Sequence, residues 1–519
     1  MKYRRVMRLV ARVVMYSLLA ISVVVFVAAR YKTTYFSDNK LDEMLFYLTN
    51  GLSQGNTTSF AALQQNFLLA GVIFVLLLLP IVDISRGRFK LHIPLPRQRR
   101  IWLSPAHVPL KYKALYCVSI FVIAIGHGVH AFGIREYLQL QNETSQLFEQ
   151  HYVEPSSVTL TFPAKKRNLI YIYLESVENT VASRDVGGRF DKSRIPELEA
   201  LALDPANVNF TNGPQGKLGG ALPAAGTTWT VAAMSAQAGG VPLKQNLIGG
   251  DGNSMGEKFD EFLPGSYMLS DILASQGYNQ SFVMGSRASF GGRDKMLAQH
   301  GDYRVIDLPY AHENGLLDPS YDVWWGYEDK KMFEYARAEA TRLATLEQPF
   351  NLQLLTADTH FTDGYLDETC PTPYAAQYDN VHACSSAQIN RFIDWVRSQP
   401  FADDTAIIIS GDHLGMQTDY YRALIGDDDY TRTIYNVFIN PSAKPSKRSE
   451  RLFSSFDMYP TTLAALGVAI DGERLALGTN LFSTEPTLLE KFGNLDDLNA
   501  ELSRRSVYYE KGILTRASE

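Results

Sequence analysis

Cysteine is scarce in this sequence, with three in 519 residues, and their spacing matches no familiar zinc pattern. No internal repeat and no low-complexity tract is present, so the chain is not a repeat array. Acidic residues are missing from one end only: the first 134 residues hold 16 Lys and Arg against 4 Asp and Glu. With totals of 49 and 55, the remainder carries 33 against 51, a net of −18. That acidic surplus argues against nucleic acid, or any polyanion, held by bulk electrostatics. An anionic substrate there needs a local metal ion or arginine.

Charge is also missing from three long runs, Val13 to Ala29, Phe67 to Val82 and Ala114 to Ile134. Each comes close to the ~20 residues that cross a bilayer once its flanks are counted, which predicts transmembrane helices over about 9–30, 62–83 and 114–134. The second run is short and contains Pro80, so a buried core helix is its alternative. LLAGVIFVLLLLPIV is nevertheless too uniformly apolar for an amphipathic surface helix. The first run follows a basic MKYRR start and could be a signal peptide, but VFVAAR is a poor cleavage site and two more runs follow. It reads as an uncleaved anchor. Lys2, Arg4, Arg5 and Arg8, and the set Arg86, Arg88, Lys90, Arg97, Arg99, Arg100, Lys111 and Lys113, place both basic segments in the cytoplasm. Everything after Ile134 then lies on the outside face.

Cys117 falls in the third run, whereas Cys370 and Cys384 flank the polar loop PTPYAAQYDNVHA on the expected outside. A disulfide between these two fits an oxidising compartment and would contribute ~3 kcal/mol on the chain-entropy account. Free thiols or metal ligands are the alternatives.

Residues 135–164 are polar and end in Pro- and Ser-containing sequence, which predicts a helical stalk and linker between a membrane domain, 1–134, and an outer domain, 165–519. In the outer domain, short apolar runs (NLIYIYL, FNLQLLT, TAIIIS, YNVFIN) alternate with helical stretches such as MFEYARAEATRLATL. The alternation predicts an α/β domain, a mainly parallel sheet flanked by helices, with its site at the carboxyl ends of the strands.

Two of those ends carry hard ligands. NLIYIYLES ends on Glu175, and TAIIISGDHLG ends on Asp412 and His413. Either alone reads as a solvated loop carboxylate; together they form an oxygen-rich set with one imidazole, suited to Mn, Mg or Zn. In AAGTTWTVAAMSAQ, Thr227 follows a glycine at what reads as a helix start, where it would cap the helix. The same position favours a phosphate, and a divalent ion touching the hydroxyl would make it a nucleophile. Both readings stand.

The outer domain resembles the alkaline phosphatase and sulfatase superfamily, specifically the membrane-anchored phosphoglycerol transferases of osmoregulated periplasmic glucan synthesis and the related lipoteichoic acid synthases. The resemblance covers about residues 165 to 485. It rests on LIYIYLESVENT, GTTWTVAAMSAQAGGVPL, FGGRDKMLAQHGDYRV, TADTHFTDGYLDETC, AIIISGDHLGM and FDMYPTTLAALG with LGTNLF, in that order. It implies metal ligands at Glu175, Thr227, Asp412 and His413, with Mn or Mg as the ion and Zn as the alternative. By its spacing to GGVP, Thr227 takes the nucleophile's place, leaving Thr228 and Thr230 as helix residues. His360 is implied as a phosphate ligand or proton donor, with a structural histidine as the alternative. Arg293 is implied as the phosphate-neutralising cation, with a surface arginine in a GGRD turn as the alternative.

The implied activity is transfer of sn-glycerol 1-phosphate from phosphatidylglycerol to a periplasmic or cell-surface glycan. The implied location is the bacterial inner membrane, with the N-terminus cytoplasmic and the catalytic domain periplasmic. The sequence departs from the lipoteichoic acid synthases at Gly291 and Ser286, where those proteins carry a tryptophan and an aspartate, so its glycerol-contacting surface differs. A phosphoethanolamine transferase is the first alternative, although such relatives usually have more spans and more cysteines. A sulfatase lacks support, because the nucleophile loop has no C/S-x-P-x-R motif. A non-catalytic lipid-binding member should have lost ligands that this sequence keeps.

Overall fold

The first and third apolar runs form helices long and apolar enough to cross a membrane: α1, Lys2–Tyr35, through its stretch Leu9–Thr34, and α3, Leu110–Ala131. The second run lies in α2, Thr57–Leu78, whose apolar part among the described residues, Asn66–Leu78, is shorter than those two stretches. The structure, a computed structural model, describes residues 2–35, 57–81, 91–94, 100–103, 109–244 and 261–515. Arg86, Arg88, Lys90, Arg97 and Arg99 of the basic loop lie outside the described residues, as does the end of the second run.

Within this first unit, which ends at Arg135, α1 packs on α2 and α3. Gly128 of α3 lets Val25 approach, since a Cβ there would stand 2.7 Å from Val25 Cγ1. Val13, Val24, Phe67, Val72, Val122 and Ile123 remain exposed on the outer faces. Apolar faces of this kind are stable only in an apolar solvent.

The described part of the second unit begins at Glu136. Six of its strands form one sheet: β1 Asn168–Leu174, β2 Asn279–Met284, β3 Arg304–Ile306, β4 Phe350–Leu355, β5 Thr405–Gly411 and β6 Asn436–Ile439, in the spatial order β3-β2-β4-β1-β5-β6. All pairs are parallel except β5 with β6. Every residue from Leu169 to Leu174 is buried, as a strand covered on both faces must be.

Alternation along β1 divides its side chains between two cores. Tyr171 and Tyr173 join one core with Met234 of the helix Thr230–Gly239 (α5), while Ile170, Ile172 and Leu174 join another with Leu198 of Pro196–Leu203 (α4). Phe333 of α6, Asp329–Leu343, and Ile389 of α7, Gln377–Arg397, complete the second core. Because β1 pairs with both β4 and β5, the carboxyl ends of three adjacent strands meet at one edge.

The expected stalk is divided. The helix Ile134–Asn142 buries no residue, but Leu147 and Phe148 are buried in the core of the second unit, with the Phe148 ring 5.2 Å from that of Tyr509. Leu160–Thr161 pairs antiparallel with Ala469–Ile470. From Ser145 onward the stretch is therefore part of the domain, anchored by two adjacent apolar side chains that its polar composition concealed. Cys370 and Cys384 are bonded, with Cα atoms 5.6 Å apart, joining the loop after β4 to α7, and Cys117 is buried in α3.

Candidate metal centre and active site

Glu175 follows Leu174 directly at the end of β1, and Asp412 and His413 follow Gly411 at the end of β5. The Asp412 amide donates to Leu174 O at 3.0 Å, which carries the parallel pairing one residue past the strands and locks the two ends together. The approach requires glycine at 411, where a Cβ would lie 2.1 Å from Val177 O. Asp412 Oδ1 accepts from the amides of Ser176 and His413, at 2.8 and 2.7 Å. Glu175 Oε1 accepts from Ser176 Oγ at 2.7 Å. His413 Nδ1 donates to Leu414 O at 2.9 Å, so the lone pair of its Nε2 faces the carboxylates. That nitrogen is 3.4 Å from Asp412 Oδ2 and 3.6 Å from Glu175 Oε1.

Ligand atoms of these three residues all lie within 4.8 Å of one another, and all three residues are buried. Ligands that each sit about 2.0–2.2 Å from one ion are separated by roughly 3–3.5 Å, close to the two distances just given. Asp412 Oδ2 is buried without a hydrogen-bond partner among the described residues. An anionic oxygen left so is costly unless a cation takes it. Burial, then the charge of Glu175, pushes the Asp412 carboxyl up to about 7. Burial also raises Glu175, but His360 and His413, helped by the hydroxyls of Ser176 and Thr230, turn its net shift downward. Two buried carboxylates and an imidazole lone pair facing one point suit a divalent ion.

The threonine turn differs from the sequence expectation. The helix α5 starts at Thr230, with Trp229 as its N-cap and no side-chain cap bond, so Thr227 does not cap it. Gly226 takes φ +79°, and a Cβ on it would meet Pro242 Cβ at 2.7 Å. The chain then passes extended through the buried Trp229 before the helix begins. Thr227 is fully buried, and its hydroxyl donates to Ala224 O at 2.9 Å. Thr230, expected to be an ordinary helix residue, instead donates from Oγ1 to Glu175 Oε2 at 3.2 Å. The spacing from Gly226 concealed this because the helix starts later than a glycine-threonine signal implies. A hydroxyl at the first helical position was the available clue.

His360 lies beyond the end of β4, and its Nδ1 donates to Phe361 O at 2.7 Å, leaving Nε2 for other partners. Burial lowers its pKa against the pull of Glu175, and His413 and Arg293 lower it further. Arg293 is not a surface residue, being only 4% exposed. Its Nε donates to Phe290 O at 2.9 Å, and one terminal nitrogen donates to Ser286 Oγ and Arg287 O at 3.1 and 2.9 Å. Glu175, Asp412 and His413 thus form one cluster with Thr230 bonded to it, and the charges of His360 and Arg293 act on the same region.

Sequence reasoning also missed the supports. Thr356 Oγ1 accepts from the Glu175 amide at 2.9 Å, and Gln237 of α5 donates to Gly411 O at 2.9 Å. Gly415 N donates to Glu178 Oε2 at 2.8 Å, while the pair of half-buried Arg432 with buried Glu178 braces the same loop. Trp325 lies with its ring 4.5 Å from that of His360. Thr356, Gln237, Glu178 and Gly415 lie inside the quoted motifs and Arg432 and Trp325 outside them, but no motif shows which distant group a side chain will support.

Phosphoglycerol transferase I of Salmonella arizonae is 30% identical over 416 residues, 77% of this chain and 48% of that protein. Phosphoglycerol transferase I of Escherichia coli strain 55989 is 31% identical over 331 residues, 60% of this chain and 39% of that protein. This chain thus spans about half the length, or less, of these curated relatives. The integral membrane protein lipooligosaccharide phosphoethanolamine transferase A of Neisseria meningitidis superposes with a TM-score of 0.50 over 95% of this chain and 87% of that one, at 13% identity, a likeness of fold. The sulfatase family matches residues 167–468, from the start of β1 to beyond β6, with every candidate site residue inside the match; this chain belongs to that family.

Proposed function

We propose that this chain is a membrane-anchored phosphoglycerol transferase that moves sn-glycerol 1-phosphate from phosphatidylglycerol to a periplasmic or cell-surface glycan. One observation carries the reading: three buried ligand atoms converge at the strand ends, and a helix-initiating threonine hydroxyl bonds to one of the same carboxylates. The phosphoglycerol transferase I relatives support the choice of group.

Glu175, Asp412, His413 and a threonine hydroxyl would hold a divalent ion, Mn or Mg with Zn as the alternative. Such an ion supplies Lewis-acid stabilisation of phosphoryl oxygens and a lowered hydroxyl pKa. Thr230 is the better placed nucleophile. Its hydrogen bond to Glu175 gives the hydroxyl proton an acceptor and orients the oxygen. In the first half-reaction the Thr230 oxygen bonds to phosphorus as the bond to the diacylglycerol oxygen breaks. In the second, a glycan hydroxyl takes the phosphoglycerol and frees the threonine. His360, with Nδ1 held by Phe361 O, exchanges a proton through Nε2 with the leaving or attacking oxygen. The buried Arg293 adds positive charge opposite the phosphate. Three spans, with the N-terminus in the cytoplasm and the catalytic unit in the periplasm, would keep the site beside its lipid donor.

Mass spectrometry of the full-length protein after incubation with phosphatidylglycerol and Mn tests the reading. A glycerophosphate adduct on a threonine of the 227–230 turn is expected. An adduct formed only from phosphatidylethanolamine would replace phosphoglycerol by phosphoethanolamine, and no adduct from either lipid would end the covalent mechanism.

A further inference from the structure

Between the Arg293 turn and His360 stands an aromatic wall that the metal centre does not explain. The Trp325 ring centre is 4.5 Å from that of His360 and 5.3 Å from that of Phe290, and the Arg293 guanidinium lies 5.7 Å from the Phe290 ring centre. The segment carrying Trp325 is held firmly. Val323 N donates to Gly326 O at 2.8 Å, Trp324 Nε1 donates to Ala357 O at 3.0 Å, and Tyr327 N donates to Gly285 O at 3.1 Å. Trp324 is therefore satisfied in the interior. Trp325 Nε1 is different, for it is buried and has no acceptor among the described residues.

A buried indole N–H without an acceptor carries an unrecovered desolvation cost, and indole can only donate. We infer that Trp325 is a specificity-determining residue whose ring forms one wall of the pocket for the transferred group and whose Nε1 donates to a hydroxyl oxygen of a small polyol head group. The inference rests on the transferase reading above and narrows its substrate. On that reading the phosphate takes His360, Arg293 and the metal-ligand cluster as partners. What Trp325 adds is a neutral donor on an apolar surface, the complement of a carbon chain bearing hydroxyls. A terminal ammonium brings donors only, so it cannot satisfy this N–H. The residue thus favours a glycerol-type over an ethanolamine-type head group. Such a preference comes from the polar group left unpaired with the wrong substrate.

The test uses the full-length, Mn-loaded protein with phosphatidylcholine vesicles carrying either phosphatidylglycerol or phosphatidylethanolamine, and measures diacylglycerol release. Trp325→Phe keeps an aromatic wall and removes the donor. It should raise KM for phosphatidylglycerol by about tenfold, the worth of one such hydrogen bond, with kcat within about threefold. Turnover of phosphatidylethanolamine should not fall, so discrimination between the lipids narrows by the same factor. Trp325→Phe with unchanged discrimination overturns the inference while leaving the transferase reading intact. Loss of Mn binding in that variant also overturns it, because the indole would then be holding the centre together. Failure of the unmodified protein to release diacylglycerol from either lipid removes the transferase reading, and this inference with it.

Discussion

Replacing Thr230 and Thr227 by alanine, one at a time, separates two roles by magnitude. Thr230 is the first residue of α5 but not its cap, so Thr230→Ala loses no capping bond. It loses one hydrogen bond to Glu175 Oε2, worth about 0.5–1.5 kcal/mol, and regains up to about 0.7 kcal/mol in helix propensity. The variant should fold with stability within about 1 kcal/mol of the parent. If Thr230 forms the covalent intermediate, its transfer rate should fall by on the order of 10³-fold or more, equivalent to about 4 kcal/mol of barrier. The rate loss then exceeds the stability change several times over.

Thr227→Ala removes a buried methyl group and the bond to Ala224 O, together about 2 kcal/mol. Ala224 O keeps the Thr227 amide as a donor at 3.2 Å, so no carbonyl is stranded. That variant should be less stable than Thr230→Ala and transfer within a few-fold of the parent rate. Thr230→Ser should retain partial activity. The assay is diacylglycerol release from phosphatidylglycerol vesicles, paired with chemical unfolding of each variant and peptide mapping of the adduct. An inactive Thr227→Ala beside an active Thr230→Ala would refute the assignment and restore the register taken from the GGVP spacing.

Asp412→Asn preserves Oδ1 and its two amide donors but neutralises Oδ2, which has no hydrogen-bond partner among the described residues, so Mn occupancy measured by calorimetry should fall together with the transfer rate. Full activity in a chelator-treated preparation would sink the metal reading. Thiol labelling of the denatured, unreduced protein should find Cys117 alone, and labelling at Cys370 or Cys384 would contradict the bond. His382 on α7 is fully buried among Tyr378, Asp379 and Tyr420, with neither ring nitrogen bonded among the described residues. Burial, against a weaker pull from Asp379, lowers its pKa to about 4. Below the unfolded value of about 6.5 the unfolded chain binds the proton first, so stability falls from there toward about pH 4, by roughly 3 kcal/mol in full. His382→Leu should flatten the pH dependence of unfolding in that window relative to the parent, and identical slopes would mean that His382 does not titrate differently on folding.

Much of the framework was legible in the sequence because local pattern determined it. NLIYIYL, FNLQLL and TAIIIS are apolar runs too short for helices, and a parallel strand covered on both faces must look like this. Placing Glu175 and Asp412-His413 directly after two of those runs sufficed to bring them together, because parallel strands end on one edge. The apolar helices of the first unit were equally plain, since lipid demands long uncharged runs. Tertiary structure alone decided which hydroxyl approaches the carboxylates. Gly226 turns against Pro242, Trp229 sinks into the core, and the helix starts two residues after the position that the glycine-threonine signal suggested. It also decided that Arg293 is buried, that Leu147 and Phe148 draw the expected linker into the domain, and that Trp325 lies against His360 although the two are 35 positions apart. Strand ends follow from local periodicity. The placing of a loop side chain depends on contacts between distant segments, which no short window of sequence contains.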